Sequence, residues 1–153
     1  MIVYISRKNL SGQFSIFKIF SLLCENIKPS IYLEVPFKSS FFGIIGNLAY
    51  ATILRFKYKS VLFHITGDIH YISLVMPRER TILTIHDLYG IRNHKGLKSL
   101  YFNLLWVYIP LMTVKHIFVP TLLIKRQLLF AIKKNRISKA IKIHVVCNPV
   151  LYV

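Results

Sequence analysis

Acidic side chains are scarce in this sequence. Its 153 residues include five Asp and Glu against 21 Lys and Arg, which gives a formal net charge of +16. No acid follows Asp87, whereas eleven bases lie between Arg92 and Lys142. So strong an excess of positive charge predicts an anionic partner. Three of the five acids, Asp68, Glu79 and Asp87, lie in one short stretch, and a local role explains them better than solubility does.

Cysteine is scarce as well. Cys24 and Cys147 show neither a CxxC pattern nor a Cys/His ligand spacing, which argues against a disulfide framework and a cysteine-ligated metal site. We expect both to be buried, reduced thiols of a cytoplasmic protein. The sequence contains no Walker phosphate loop and no serine nucleophile elbow. Its first residues become charged at Arg7 and do not have the pattern of a signal peptide.

Long apolar runs are also limited. The two longest uncharged runs are Ser39 to Leu54 and Ser99 to Val114, and each is shorter than the ~20 residues that normally cross a bilayer. We interpret both as core helices, with a monotopic contact at a membrane surface as the alternative. The high hydrophobic fraction, 54%, suits a parallel sheet that is buried on both faces.

The stretch from Val61 to Leu88 is the most informative part of the chain. It contains two short β-branched, uncharged runs, Val61–Ile65 and Thr81–Ile85, and between them Ile69–Met76 is apolar at helical spacing. This pattern predicts a right-handed crossover unit with two parallel strands at the centre of a sheet. Polar residues follow both strands and would collect at the carboxyl edge, where open α/β folds bind ligands: Gly67, Asp68, His70, His86 and Asp87.

Strands and helices alternate along the rest of the chain. The predicted strands are Ile2–Ile5, Ile31–Val35, Ile117–Val119 and Ile141–Val146, and the predicted helices are Phe14–Leu23, Phe41–Arg55, Leu97–Met112 and Leu122–Lys134. Pro110 is expected to kink or end its helix. The alternation predicts one α/β domain over residues 1–153, with a Rossmann-like, three-layer parallel sheet and helices on both faces.

Gly12 lies between the first strand and the first helix. A glycine loop before a helix amino terminus is suited to binding an anion, but an ordinary turn with a permissive backbone is the simpler explanation of this residue alone.

Three motifs together resemble a known family. HITGDIHY (His64–Tyr71), TILTIHDL (Thr81–Leu88) and KIHVVCNPV (Lys142–Val150), in this order, resemble the amino-terminal half of family 4 retaining glycosyltransferases of the GT-B fold. In that family two Rossmann-like domains face each other across a cleft; the first binds the acceptor and the second the nucleotide-sugar donor. The resemblance implies that this chain is the acceptor-side domain and that the carboxyl-terminal donor domain, with its paired glutamates, is missing.

The resemblance also assigns roles to individual residues. His86 matches the active-site histidine that faces the transferred sugar, and Gly12 matches the glycine loop near the donor phosphate. Gly67, Asp68 and His70 match the acceptor-side loop. We expect Asp87 to bind the acceptor with these three residues and, as the neighbour of His86, to steady the loop. The co-substrate would be a nucleotide diphosphate sugar, with no other cofactor and no metal, and the acceptor a glycan or lipid-linked sugar in polysaccharide or lipopolysaccharide synthesis. The sequence Pro120-Thr121-Leu122-Leu123 departs from the Ser-rich helix start of the family.

Each histidine also has a structural explanation. From spacing alone, His86 and Asp87 are as well explained by satisfying loop backbone groups as by catalysis, and His70 is equally a helix-start residue. His64 lies inside its strand and is expected to be a core histidine. His94, His116 and His144 are not part of a larger pattern of carboxylate, cysteine and histidine ligands, since Cys147 is the only such partner close to any of them in sequence, so they predict no metal site.

The alternative to an enzyme is a non-catalytic basic α/β domain that binds an anionic membrane surface or a partner protein. The basic segment from Lys125 to Lys142 would attract anionic headgroups at ~1 kcal/mol per basic residue. We rank nucleic acid below both hypotheses because the aromatic residues follow core patterns. The enzyme hypothesis predicts a chain that is inactive alone and that would need a donor-domain partner subunit, in the cytoplasm or on the inner face of the membrane.

Overall fold

The computed structural model of the protein describes residues 1–8, 15–88, 96–134, 137 and 140–147. These residues form an α/β fold with one parallel sheet and helices on both of its faces, as the alternating pattern predicted.

The sheet contains six strands within the described residues. They are β1 (Ile2–Ser6), β2 (Ser30–Glu34), β3 (Leu62–Ile65), β4 (Thr81–Thr84), β5 (His116–Val119) and β6 (Lys142–Val145). Their order across the sheet is β2-β1-β3-β4-β5-β6, and every neighbouring pair is parallel. The predicted pair β3 and β4 therefore lies at the centre, with register partners such as Phe63 and Thr81.

The helices differ in detail from the predicted ones. They are α1 (Ser15–Asn26), α2 (Phe41–Lys57), α3 (Gly96–Asn103), α4 (Ile109–Thr113) and α5 (Leu122–Lys134), with 3-10 helices at His70–Val75 and Arg78–Arg80. The link between β3 and β4 is thus a 3-10 rather than an α-helix, which suits its short length. A π-helical segment, Leu104–Tyr108, joins α3 to α4. Pro110 does not end the helix, because the π-segment directly before it absorbs the distortion.

The two faces of the sheet have separate apolar cores. On one face, Tyr4 packs with Ile19 and Phe20 of α1. On the other, Val3, Ile5, Phe63, Ile65 and Leu83 pack in a larger cluster that includes residues of α2, α4 and α5. This arrangement follows from the parallel pairing, since alternate residues of each strand point to opposite faces.

Both cysteines are free, but neither is fully buried as predicted. Cys24 is half-buried in α1, and Cys147 is exposed. The prediction of a buried thiol at Cys147 was wrong because this residue follows β6, which is an edge strand with exposed side chains.

Within the described part of the chain, no helix is both long enough and apolar enough to cross a bilayer.

Candidate functional site

Three strand ends bring polar residues together at the carboxyl edge of the sheet. Arg7 follows β1, Asp68 follows β3, and His86 with Asp87 follows β4. The Arg7 guanidinium donates from Nη1 to Oδ2 of Asp68 at 2.9 Å. This cross-link between the loops after β1 and β3 was not predicted, and its only signal in the sequence is a base directly after a buried strand.

Gly67 shapes the turn that presents Asp68. Its φ is +70°, a left-handed conformation that other residues adopt at a cost. The turn begins at Thr66, which is fully buried and whose N–H donates to the Ile5 carbonyl at 2.8 Å. A buried anchor and a permissive glycine thus fix the position of Asp68 beside Arg7.

His70 is hydrogen-bonded to the helical stretch 96–113. It is 3% exposed, and its Nδ1 donates to the Trp106 carbonyl at 2.9 Å. The Trp106 indole Nε1 donates in turn to the carbonyl oxygen of Asp68 at 3.1 Å. Because a carbonyl can only accept, Nδ1 of His70 carries the proton, and Nε2 is the lone-pair nitrogen of the neutral ring.

Burial lowers the pKa of His70, although the Trp106 carbonyl and the carboxylates of Asp68 and Asp87 act to raise it. His70 is therefore neutral at physiological pH. The structure confirms the helix-start explanation, since His70 begins a 3-10 helix; its role on the acceptor side stays a prediction.

His86 lies at the end of β4, as predicted. Its Nε2 is buried and has no hydrogen-bond partner within the described part of the chain. The ring packs edge-on against Phe20 of α1, with 5.9 Å between ring centroids. A polar atom in this state is costly unless a partner satisfies it, so a hydrogen bond from a ligand hydroxyl or phosphate oxygen would be favourable at Nε2 of His86. The Nε atom of Arg78, before β4, is likewise buried without a partner among the described residues.

The charges around His86 act in opposite directions. Burial, with a smaller contribution from His70, lowers the pKa of His86, while Asp68 and Asp87 act to raise it. The net direction is downward, so the imidazole is neutral near pH 7. The same two carboxylates influence His70 and His86, which makes these four side chains one electrostatic unit.

His64 is a core histidine, as predicted. It is 8% exposed, and its Nε2 is 2.7 Å from Oγ1 of Thr84 on the adjacent strand. Its ring packs edge-on against Phe20 and Phe118. Burial, together with the neighbouring His86, lowers the pKa of His64 to about 3. This histidine is thus a neutral packing residue whose polar atom is satisfied inside the sheet.

Two of the predicted features cannot be placed. Gly12 and the turn Asn148-Pro149 lie outside the described residues.

Trp106, like Arg7, is a residue of the site that sequence reasoning missed. It is the only tryptophan in the chain, and it connects His70 to Asp68 through its carbonyl and its indole N–H. Its position in an apolar helical run suggested core packing alone. Only the packing of the helical stretch 96–113 against the 3-10 helix that begins at His70 reveals the connection.

Two cavities are lined mainly by other residues, although the first is lined by Phe20, which packs against His86. One of about 260 Å³ lies between α1 and the sheet and includes Tyr4, Phe20 and His64 in its lining. Another of about 360 Å³ is lined in part by Glu79, His116 and His144, and the rings of His116 and His144 stack there with their nearest nitrogens 3.3 Å apart. Within the described ranges, no three His, Cys, Asp or Glu side chains come together as ligands for a metal ion.

Comparison with protein-family models, with curated proteins and with solved structures finds no match to this chain.

Proposed function

We propose that this chain is the acceptor-side domain of a retaining GT-B glycosyltransferase. The observation that carries the proposal is the buried Nε2 of His86, which has no partner in the described part of the chain, at the carboxyl end of a central parallel strand. The family resemblance expects a histidine at this strand end facing the transferred sugar. The substrates would be a nucleotide diphosphate sugar and a glycan or lipid-linked acceptor.

The chemistry assigned to His86 is hydrogen bonding to the transferred sugar. A neutral imidazole forms such a bond without adding its own charge next to the negatively charged donor diphosphate. Lowering of the pKa of His86 by burial supports this role because it keeps the ring uncharged at physiological pH. Asp87, directly after His86, would steady the strand end and contribute to the acceptor side.

Asp68 and His70 would shape the acceptor side. Asp68 is held by Arg7 and Trp106, and a held carboxylate is a good acceptor for sugar hydroxyl groups. Arg7 and Trp106 are thus positioning residues in this proposal. Stabilisation of the leaving diphosphate requires the second wall of the cleft, so we expect no transfer by this domain alone.

Histidine NMR tests the proposal directly on this chain. With the side chains labelled with ¹⁵N, the ring nitrogens of His86 are followed during titration with UDP-glucose, GDP-mannose and simple acceptor glycans at millimolar concentration. We expect the His86 signals to move and those of His116, at the opposite edge of the sheet, to stay in place. If no sugar ligand moves the His86 signals, or if both histidines respond alike, the proposal fails.

Transfer itself is tested in a complex of this chain with a donor-side domain. Replacing a preorganised hydrogen-bonding group that acts on developing charge costs about 10²–10³-fold in rate. We expect His86→Ala to lose activity on this scale and Cys147→Ser, which alters an exposed side chain, to retain it. Equal activity of both variants would show that His86 does not contribute to the transfer.

A further inference from the structure

Helix α2 is apolar on two opposite sides. The buried side contains Gly43, Ile44, Asn47, Ala51 and Leu54. At about 100° per residue, the opposite side forms an arc about 120° wide. Thr52 also falls in this arc, but it is half-buried and its hydroxyl donates to the Leu48 carbonyl of the same helix. The exposed residues of the arc are all apolar: Phe41, Phe42, Ile45, Ala49, Ile53 and Phe56. We call this side the α2 outer face.

The α2 outer face is unusual for a helix at a water-facing surface. Phe42 is 82% exposed, Phe56 64% and Ile53 63%. A helix on the surface of a globular protein normally carries polar residues there, and a helix that is apolar all round is buried in protein or in lipid. A contiguous exposed apolar patch with basic neighbours marks an interaction surface.

Helix α5 provides a comparison within the same protein. It also exposes large apolar side chains, including Leu122, Leu123 and Phe130, but Arg126 and Lys133 are exposed on the same helix. Helix α2 has no charged residue from Phe41 to Leu54. Among these two helices α2 is therefore the stronger candidate for contact with an apolar phase.

The charges around α2 indicate the chemistry of its partner. Between Glu34 and Asp68 the chain contains no acid and four bases, Lys38, Arg55, Lys57 and Lys59. On the helical projection Arg55 and Lys57 flank the apolar arc on its two sides. Both are exposed, and their cationic groups lie near aromatic rings, with Arg55 6.0 Å from the centroid of Phe56 and Lys57 5.4 Å from that of Tyr58.

We infer that the α2 outer face binds to an anionic lipid bilayer. An apolar strip with bases along its margins matches a surface whose interior is hydrocarbon and whose headgroups are negative. The 17 residues of α2 form a helix about 25 Å long, so α2 would lie in the plane of the interface. The long basic side chains would reach the headgroups while their stems cover apolar surface.

The fold holds α2 rigidly enough to act as a contact surface. The Asn47 side chain bonds the backbone of Phe37 through both Oδ1 and Nδ2, and its Nδ2 also donates to the Tyr71 hydroxyl at 2.9 Å. Tyr71 is next to His70 in the 3-10 helix. The amino-terminal half of α2 is therefore tied to the carboxyl edge of the sheet. A membrane-bound acceptor would then lie near the candidate site; that consequence depends on the proposed function, whereas the membrane contact does not.

Vesicle flotation with the full chain tests the inference. The vesicles contain either phosphatidylcholine alone or phosphatidylcholine with 30% phosphatidylglycerol, at low and high salt. We expect partition into the anionic vesicles to be about tenfold stronger than into the neutral ones, and to weaken at high salt as headgroup attraction is screened. Equal partition into both, or no partition, would overturn the inference.

Matched substitutions locate the surface. The double variant Phe42→Asn/Phe56→Asn should reduce partition at least tenfold, as expected for two large side chains that no longer enter lipid. The control variant Leu97→Asn/Leu122→Asn changes two equally exposed apolar residues, 85% and 63%, on other helices and should bind within about twofold of the original chain. If both variants bind alike, α2 is not the membrane surface.

Fluorescence quenching tests the same surface if the double variant Phe42→Asn/Phe56→Asn does not fold. The conservative change Phe56→Trp places a probe on the α2 outer face, and lipids with brominated acyl chains should quench its fluorescence. Trp106, the only native tryptophan, should be quenched far less. If the new probe is not quenched, and sedimentation shows instead that the same face mediates self-association, the occupant is a second copy of the chain and the inference is wrong.

Discussion

The Trp106 carbonyl accepts a hydrogen bond from Nδ1 of His70 at 2.9 Å, and Pro110 explains why this carbonyl is available. In an α-helix the carbonyl of residue 106 would receive the N–H of residue 110. Proline has no N–H, and its ring distorts the preceding turn; here that turn is the π-segment Leu104–Tyr108. A helix imperfection thus provides the acceptor that orients a histidine of the candidate site.

Pro110→Ala should weaken the link between Trp106 and His70. The alanine N–H at position 110 would compete for the Trp106 carbonyl, so we expect the Nδ1 proton of His70 to exchange with water roughly two- to tenfold faster, the equivalent of losing part of one hydrogen bond. Exchange is followed by histidine NMR. The control is Pro77→Ala, which retains the backbone carbonyl that accepts the Thr81 hydroxyl. If Pro110→Ala forms a regular helix and the Nδ1 proton of His70 still exchanges at the original rate, Pro110 is not the reason that the Trp106 carbonyl is available.

Asp68→Asn should alter the electrostatics of the site more than the stability of the fold. The pair with Arg7 is partly exposed, with 52% of the Asp68 side chain accessible, and such pairs contribute about 0–1 kcal/mol. Asp68 nevertheless raises the pKa of both His70 and His86. Its neutralisation should therefore lower the pKa of each histidine further, as measured by NMR titration.

The matched control for this change is Glu79→Gln. Glu79 also forms an ion pair, with Lys115 at 2.6 Å, but it lies on the 3-10 helix before β4, at the opposite edge of the sheet. We expect this variant to leave the His70 and His86 titrations as they are in the original chain. Equal shifts in both variants would mean that long-range charge, rather than the local arrangement, controls the two histidines.

The free energy of unfolding should fall as the pH decreases below about 6.5, the usual pKa of an unfolded histidine. The folded chain keeps His64 neutral down to about pH 3, whereas the unfolded chain takes up a proton there. Stability from this residue is present above pH 6.5 and is lost at ~1.4 kcal/mol per pH unit as the pH falls toward 3. Chemical denaturation between pH 7 and 4.5 measures how steeply the free energy of unfolding changes with pH. This slope reports the number of protons taken up on unfolding, and His64→Gln should lower that number by about one.

Thr84→Val provides the comparison for His64→Gln. It removes the hydroxyl that pairs with Nε2 of His64 but retains the histidine, so stability at pH 7 should fall by about 1–3 kcal/mol while the pH slope stays the same. A slope that changes in Thr84→Val and not in His64→Gln would assign the pH dependence to other groups.

The sequence was sufficient for the sheet and for much of the candidate site. Short β-branched runs that end in polar residues identified β3 and β4, and parallel strands place such ends at one edge; this is why His70, His86, Asp68 and Asp87 were found together. Arg7 and Trp106 were not predicted because their contacts join residues 61 and 38 positions apart. Contacts over such distances depend on packing, and no local pattern encodes them.

The exposed side of α2 entered the sequence analysis only as the alternative of a monotopic membrane contact, for a related reason. An uncharged run such as Ser39–Leu54 predicts a core helix, but a helix between a sheet and its surroundings has only one side on the core. Sequence periodicity could identify the buried side from Ile44, Ala51 and Leu54 only after the sheet was placed. The second apolar side then became visible as a feature that needs its own explanation.

Gly67→Ala should separate the local geometry of the site from general stability. Both Gly67 and Gly96 have positive φ, +70° and +62°, and an alanine at such a position costs about 1–2 kcal/mol. A Cβ at Gly67 would lie 3.7 Å from Cγ of Arg7, an ordinary contact, and one at Gly96 would meet nothing within 4 Å. The two variants should therefore lose similar stability in chemical denaturation. Only Gly67→Ala should change the fluorescence of Trp106, because relaxation of the turn would move the Asp68 carbonyl that accepts the indole N–H. If Gly96→Ala changes the fluorescence equally, the turn at Gly67 does not control the position of Asp68.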